Sequence, residues 1–201
     1  MIGLSHLVRP IVPRLRANNA RFAVVGGLAV SARTIPRFTK DANFAVMVSS
    51  DAEAERLVFT IARDGFQIVT LIDQTATGRL ATARLALPGD EARDAVIDLI
   101  FATCGIEPEV VMAATAVDLF PGVIAPVAQI GHLIALKVLS RNDDTRPQDT
   151  VDLRALMVES TTADLELACA SLDLITARGY NRDKDLRAEY ETLLARFRPE
   201  G

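Results

Sequence analysis

Tryptophan is absent from this 201-residue chain, cysteine and histidine occur twice each, and lysine only three times, at Lys40, Lys137 and Lys184. His6 and His132 are too few for a histidine-based metal centre. Cys104 and Cys169 stand far apart in apolar surroundings, so they read as small core residues in a reducing compartment, not as a disulfide framework or zinc site. Long uninterrupted apolar runs are also missing. The opening MIGLSHLVRPIVPRLR is broken by Pro10, Pro13 and several arginines, and Gly122 to Leu139 contains Pro126, Gln129, His132 and Lys137. Neither a secretion signal nor a membrane span is expected, which points to a soluble, cytoplasmic protein. A net charge of −4 removes any global pull toward nucleic acid or anionic membrane, while local basic patches remain open.

What the chain does have is apolar mass: half of its residues, enough for a real core in one large domain or two small ones. Its organising stretch runs from Val24 to Val48. An apolar strand breaks at Gly26-Gly27, a short helix follows, and a basic turn with Arg33, Arg37, Thr39 and Lys40 leads to a second strand headed by Asp41. On that strand Asp41, Asn43, Ala45 and Met47 share one face, and Ala42, Phe44, Val46 and Val48 the other.

The remaining patterns predict one or two helical turns within 4–18, strand 21–25, helix 27–34, helix 50–63 capped by Ser50, and strands 66–72, 80–87 and 95–102. A helical turn follows Glu107, then a Pro/Gly linker around 121–126, then helices near 130–141, 150–160, 163–178 and 184–197. The fold class is therefore α+β: a small mixed-sheet head over 1–120 and a helical part over 121–201, with a cleft between them.

Four features carry possible chemistry, each with a plain structural reading beside it. Gly26 and Gly27 lack the Cβ that would keep backbone amides from a ligand, and the helix start after them suits phosphate; the same pair also makes an ordinary tight turn. Asp98 lies inside the apolar strand AVIDLIFA, where an ionised carboxylate needs an arginine partner or a metal. Lys137, in HLIALKVL, is either a point charge for a polyphosphate or a lysine snorkelling from a helix edge. In PQDTVDLRAL, helix capping accounts for Asp149 but less well for Asp152.

In this order the motifs GG…R-x-T-x-D, a strand Asp, a helical Lys and D-x-x-D-L resemble the minimal nucleotidyltransferases of the DNA polymerase β superfamily. Within it the chain is most similar to the AbiEii-type toxins, which include the MenT toxins of toxin–antitoxin operons. The resemblance runs from about Phe22 to Leu156, with RGYNRDKDL near the C-terminus in keeping. It implies that Gly26 and Gly27 bracket a nucleoside triphosphate, with Arg37, Thr39 and Lys137 at its phosphates. It places Mg²⁺ on Asp41, Asn43 and Asp98, and assigns catalysis to Asp41, Lys137 and Asp152. The implied reaction moves a nucleoside monophosphate onto an acceptor hydroxyl, often the 3′ end of tRNA, which blocks aminoacylation and translation; an antitoxin protein is the implied partner.

The superfamily's D-x-D is Asp41-Ala42-Asn43 here, so one metal-binding charge is missing. A reduced metal set, compensation by Asp152, or a silent nucleotide- or partner-binding protein would each follow. Transfer to a small molecule or a protein hydroxyl is a further alternative. Thr39, taken as extended and facing the same way as Asp41, is a candidate regulatory phosphorylation site; strand propensity alone also accounts for it. Arg9, Arg14, Arg16 and Arg21, with the arginines of 178–187, form a candidate RNA surface.

Overall fold

The structure is a computed structural model and describes residues 4–74, 78–89, 95–142, 145 and 147–198. Its first element, α1 (Ser5–Ala17), is longer than the expected one or two turns and runs through Pro10 and Pro13. Leu7, Val8, Ile11, Val12 and Leu15 form a buried stripe, and its burial outweighs the hydrogen bonds that two prolines withhold. There follow β1 (Arg21–Val25), α2 (Gly26–Arg33), β2 (Ala42–Met47), α3 (Asp51–Arg63), β3 (Gln67–Asp73), β4 (Leu80–Ala86) and β5 (Ile97–Ile100). The Ser50 hydroxyl accepts from the Glu53 amide at 3.3 Å, the expected cap of α3. β3 and β4 pair antiparallel; residues 75–77 of the loop expected between them lie outside the described residues.

After α4 (Glu107–Ala113) the structure departs from the sequence reading. The segment expected as a Pro/Gly linker is a hairpin, β6 (Thr115–Phe120) and β7 (Val123–Val127), turning at Pro121-Gly122. Pro126 is tolerated because β7 meets β1 through one register pair, Val24 with Val127, so most of that strand side carries no ladder. The hairpin belongs to the sheet, and any division between sheet and helical parts falls after Val127. It is also where the N-terminal arginines go. Arg9 Nη2 donates to the Pro121 carbonyl at 2.9 Å and Arg16 Nη2 to that of Ile124 at 2.6 Å, so these two side chains fasten α1 to the hairpin.

One mixed sheet results, in the order β3-β4-β5-β2-β1-β7-β6. β1 and β2 pair antiparallel, β2 and β5 parallel, and β4 and β5 antiparallel. The helical part comprises α5 (Ile130–Ser140), α6 (Pro147–Glu159), α7 (Thr162–Ala177) and α8 (Leu186–Phe197). α5 is buried along most of its length, against α2 on the head side and α6 and α7 on the other. This is the expected α+β architecture, with α5 as the element that joins its two parts.

Close approach of α5 to α7 depends on Gly131, where an added Cβ would collide with the Asp164 carbonyl oxygen and come within 2.8 Å of Leu167 Cβ. Backbone cannot swing aside as a flexible side chain can. Gly131→Ala should therefore cost about 1–3 kcal/mol of stability in urea unfolding. An unchanged midpoint would contradict this packing.

Candidate active site

Sheet register builds the first wall of the site. Asn43 on β2 lies opposite Asp98 on β5, and Asp98 lies opposite Arg84 on β4. On the other side Asn43 faces Val25, the last residue of β1, and Gly26 opens α2 directly after it. Asp41 stands just before β2. Residues of this row, together with Asp41, Thr103, Glu107, Leu133, Lys137, Ser140 and Arg182, line one cleft of about 400 Å³ between the sheet and α5. Five positions singled out from the sequence are thus gathered: Gly26, Asp41, Asn43, Asp98 and Lys137.

Gly26 adopts φ +65°, and a Cβ there would run into the Asn43 amide. At Gly27 a Cβ would sit 2.7 Å from Arg37 Nη2 and 2.8 Å from Thr39 Oγ1. The space these glycines free is taken, in this structure, by neighbouring side chains of the protein itself. Gly27, Arg37 and Thr39 are not among the residues that line the large cleft. Arg37 and Thr39 border a much smaller hollow with Leu28, Ser31 and Phe38. β2 begins only at Ala42, so Thr39 lies in the loop before that strand.

The second wall is an ion network. Asp152, 1 % exposed, accepts Arg37 Nε and Nη2 at 2.6 Å each, and its Oδ2 lies 2.7 Å from Lys137 Nζ. Lys137 also donates to Asp149 Oδ1 at 2.6 Å, and the Ser140 hydroxyl donates to Asp149 Oδ2 at 3.2 Å. Lys137 is buried between two carboxylates, so it does not snorkel. Asp149 is not the cap expected of it. α6 begins earlier, at Pro147, because proline suits the first helical turn, and Asp149 lies within that turn with its carboxylate turned to Lys137 and Ser140. Spacing of three residues puts Asp149 and Asp152 on one helix face.

Burial by itself would push the Asp152 carboxyl up. Hydrogen bonds from Arg37 and Lys137, together with their charges, outweigh it and hold the group below the ordinary carboxylate range. For Arg84, the hydrogen bond to Asp98 raises the guanidinium's pKa further; burial opposes this, and the charges of Asp98 and Asp41 add to it. Its Nε and Nη2 donate to both Asp98 oxygens at 2.8 and 2.9 Å. Arg84 was not picked out from the sequence, and Arg182 only among the arginines of the candidate RNA surface. A lone arginine in TARLA has no motif, and only the pairing of β4 with β5 reveals its partner.

Among the described residues no three His, Cys, Asp or Glu side chains form a ready cage for a metal ion. The donors on the cleft are nevertheless hard oxygens: Asp41, the Asn43 amide and Asp98, the last held by Arg84. Mg²⁺ commonly takes one or two carboxylates and completes its shell with water and substrate phosphates. Asp41 and Asn43 fit an ion that arrives with a polyphosphate.

Two predictions follow from the network. The depressed Asp152 pKa adds stability above the ordinary value of 3.8, and this contribution is lost as pH falls from there through the lower native value. Urea midpoints of the wild type should fall over that window, and those of Asp152→Asn should fall less steeply; equal slopes would contradict the network. At neutral pH Asp152→Ala leaves the buried Lys137 and the half-buried Arg37 short of a partner and should cost roughly 3 kcal/mol.

The profile of the family described as "Nucleotidyl transferase AbiEii toxin, Type IV TA system" matches residues 14–200. No curated protein matches the chain. Among solved structures, an antigenic nucleotidyltransferase-like protein from Paracoccidioides brasiliensis is 17% identical with a TM-score of 0.57, over 94% of this chain and 92% of that one. A putative nucleotidyltransferase from H. pylori is 16% identical with a TM-score of 0.48, over 95% and 91% of the two chains. With its family profile matched almost from end to end and a nucleotidyltransferase-like protein sharing its fold, this chain belongs to the AbiEii family of nucleotidyltransferase toxins.

Proposed function

We propose that the cleft binds a nucleoside triphosphate with Mg²⁺ and transfers its nucleoside monophosphate to the 3′-terminal hydroxyl of tRNA. One observation carries the chemistry: Asp41, Asn43, Asp98 and Lys137, scattered from residue 41 to 137, line a single cleft beside the turn at Gly26. Family membership supports the toxin role and, with it, an antitoxin partner. In the reaction, the acceptor oxygen bonds to the α-phosphorus while the bond from that phosphorus to the bridging oxygen breaks. Pyrophosphate leaves, and the hydroxyl proton passes to a cleft carboxylate or to water. When bound, Mg²⁺ supplies charge neutralisation at the phosphates.

The chain's own residues do the positioning. Asp41 and the Asn43 amide oxygen hold the metal's side of the triphosphate. Lys137, fixed by Asp149 and Asp152, presents its ammonium from α5 and acts as a point charge at the phosphates. Asp152 orients both Lys137 and Arg37, so its contribution is made from behind the cleft wall. Thr39 is half-buried near Gly27, and a phosphate there would act on the site by drawing Arg37 away from Asp152.

Asn43 favours a second reading. With an amide where a carboxylate would add charge, metal affinity falls, and a protein that binds triphosphate without turnover, or passes the nucleotide to a small molecule or a protein hydroxyl, fits the same cleft.

The assay is incubation with total tRNA, Mg²⁺ and each labelled nucleoside triphosphate in turn, beside an Asp41→Ala variant. Label should enter tRNA with the wild type, and the variant should lose roughly a hundredfold or more of the rate. Equal labelling by the variant would refute the site; triphosphate binding without labelling would support the second reading.

A further inference from the structure

The cations on the cleft differ in how far their charge is already spent. Lys137 is a side chain only 10 % exposed, and its ammonium lies 2.6 and 2.7 Å from two carboxylates. Lys137 thus shares its charge between Asp149 and Asp152, and Asp152 is held by Arg37 as well. Arg84 differs on both counts. Its side chain is 39 % exposed, and its ion pair is with Asp98, while the charge of Asp41 reaches it as well. That pair uses two of the guanidinium's five N–H groups. Register across β4, β5 and β2 sets Arg84, Asp98 and Asn43 in one transverse row on the cleft wall, and the row ends at Val25 and the Gly26 turn.

We propose that Arg84 is a built-in cation of the triphosphate site: it holds both oxygens of Asp98 and turns its remaining N–H groups to the phosphates. Asp98 then serves to aim Arg84 and is not itself a metal ligand while the pair stands. The row has the chemistry of an anion site, because a planar guanidinium matches phosphate oxygens in a way a point charge does not. It also stands in for metal charge that Asn43, lacking a carboxylate, recruits less well, since a fixed guanidinium meets phosphate charge directly. This inference rests on the polyphosphate reading of the cleft given above.

The test is calorimetric binding of a methylene-bridged, non-hydrolysable nucleoside triphosphate in EDTA, with Mn²⁺ binding to the nucleotide-free protein followed separately by electron paramagnetic resonance. Arg84→Met should weaken triphosphate binding about tenfold or more, the value of a charged hydrogen bond, with Arg84→Lys in between. The same Arg84→Met variant should bind Mn²⁺ more tightly than the wild type, because Asp98 is released to the cleft. Arg84→Met/Asp98→Asn guards against a purely structural pair: it should recover the thermal stability lost in the single variant, lose the Mn²⁺ gain, and still bind triphosphate weakly. Wild-type triphosphate affinity in either Met variant would overturn the assignment of Arg84 alone. A wild type that binds no triphosphate, with or without Mg²⁺, would overturn the polyphosphate reading and this inference with it.

Discussion

A buried carboxylate cannot stay charged without partners, and the partners Asp152 recruits decide where the cleft is. Arg37 comes from the loop after α2 and Lys137 from α5, so one side chain of α6 ties the head of the molecule to its helical part. The tie has a direction. It fixes Lys137 at the edge of α5 that faces the sheet, opposite the row carrying Asn43 and Asp98. Were Asp152 apolar, nothing in the register of β1, β2 and β5 would require an ammonium to stand across from those oxygens. Buried ion networks are poor sources of net stability and better at specifying one arrangement. Here the specified arrangement is the spacing between the two cleft walls.

Much of this was legible in the sequence where chemistry is local. Gly26-Gly27 after an apolar strand and the alternation from Asp41 to Met47 gave the strand–helix–strand unit without any tertiary information. The hairpin of β6 and β7 was hidden by its own prolines, which read as linker. Its alternation is weak, and Pro126 survives because the strand beside it hardly pairs there. α1 was underestimated for the converse reason: local breakers lost to burial of a five-residue apolar stripe.

The site divides in the same way. Scarcity of lysine pointed to Lys137, and a lone acid in an apolar strand pointed to Asp98. Their partners did not announce themselves. Arg37 and Asp152 lie 115 residues apart, and Arg84 meets Asp98 only through strand register. The repeat of Asp149 and Asp152 three residues apart was the one available signal that both acids face Lys137, and reading the first as a cap concealed it. Arg37 and Thr39 stand beside Gly27 near the start of α2, yet these two border a separate hollow and Gly27 does not line the large cleft, so proximity in sequence to Asp41 overstated their share in it.

Both walls of the cleft are shaped to close on one bound polyphosphate. A crystal structure of the protein with Mg²⁺ and a non-hydrolysable nucleoside triphosphate addresses it directly. The phosphates should lie between Asp41 and Lys137, next to the turn at Gly26. Density for the triphosphate elsewhere on the surface, with this cleft filled only by solvent, would show that the cleft is not the polyphosphate site.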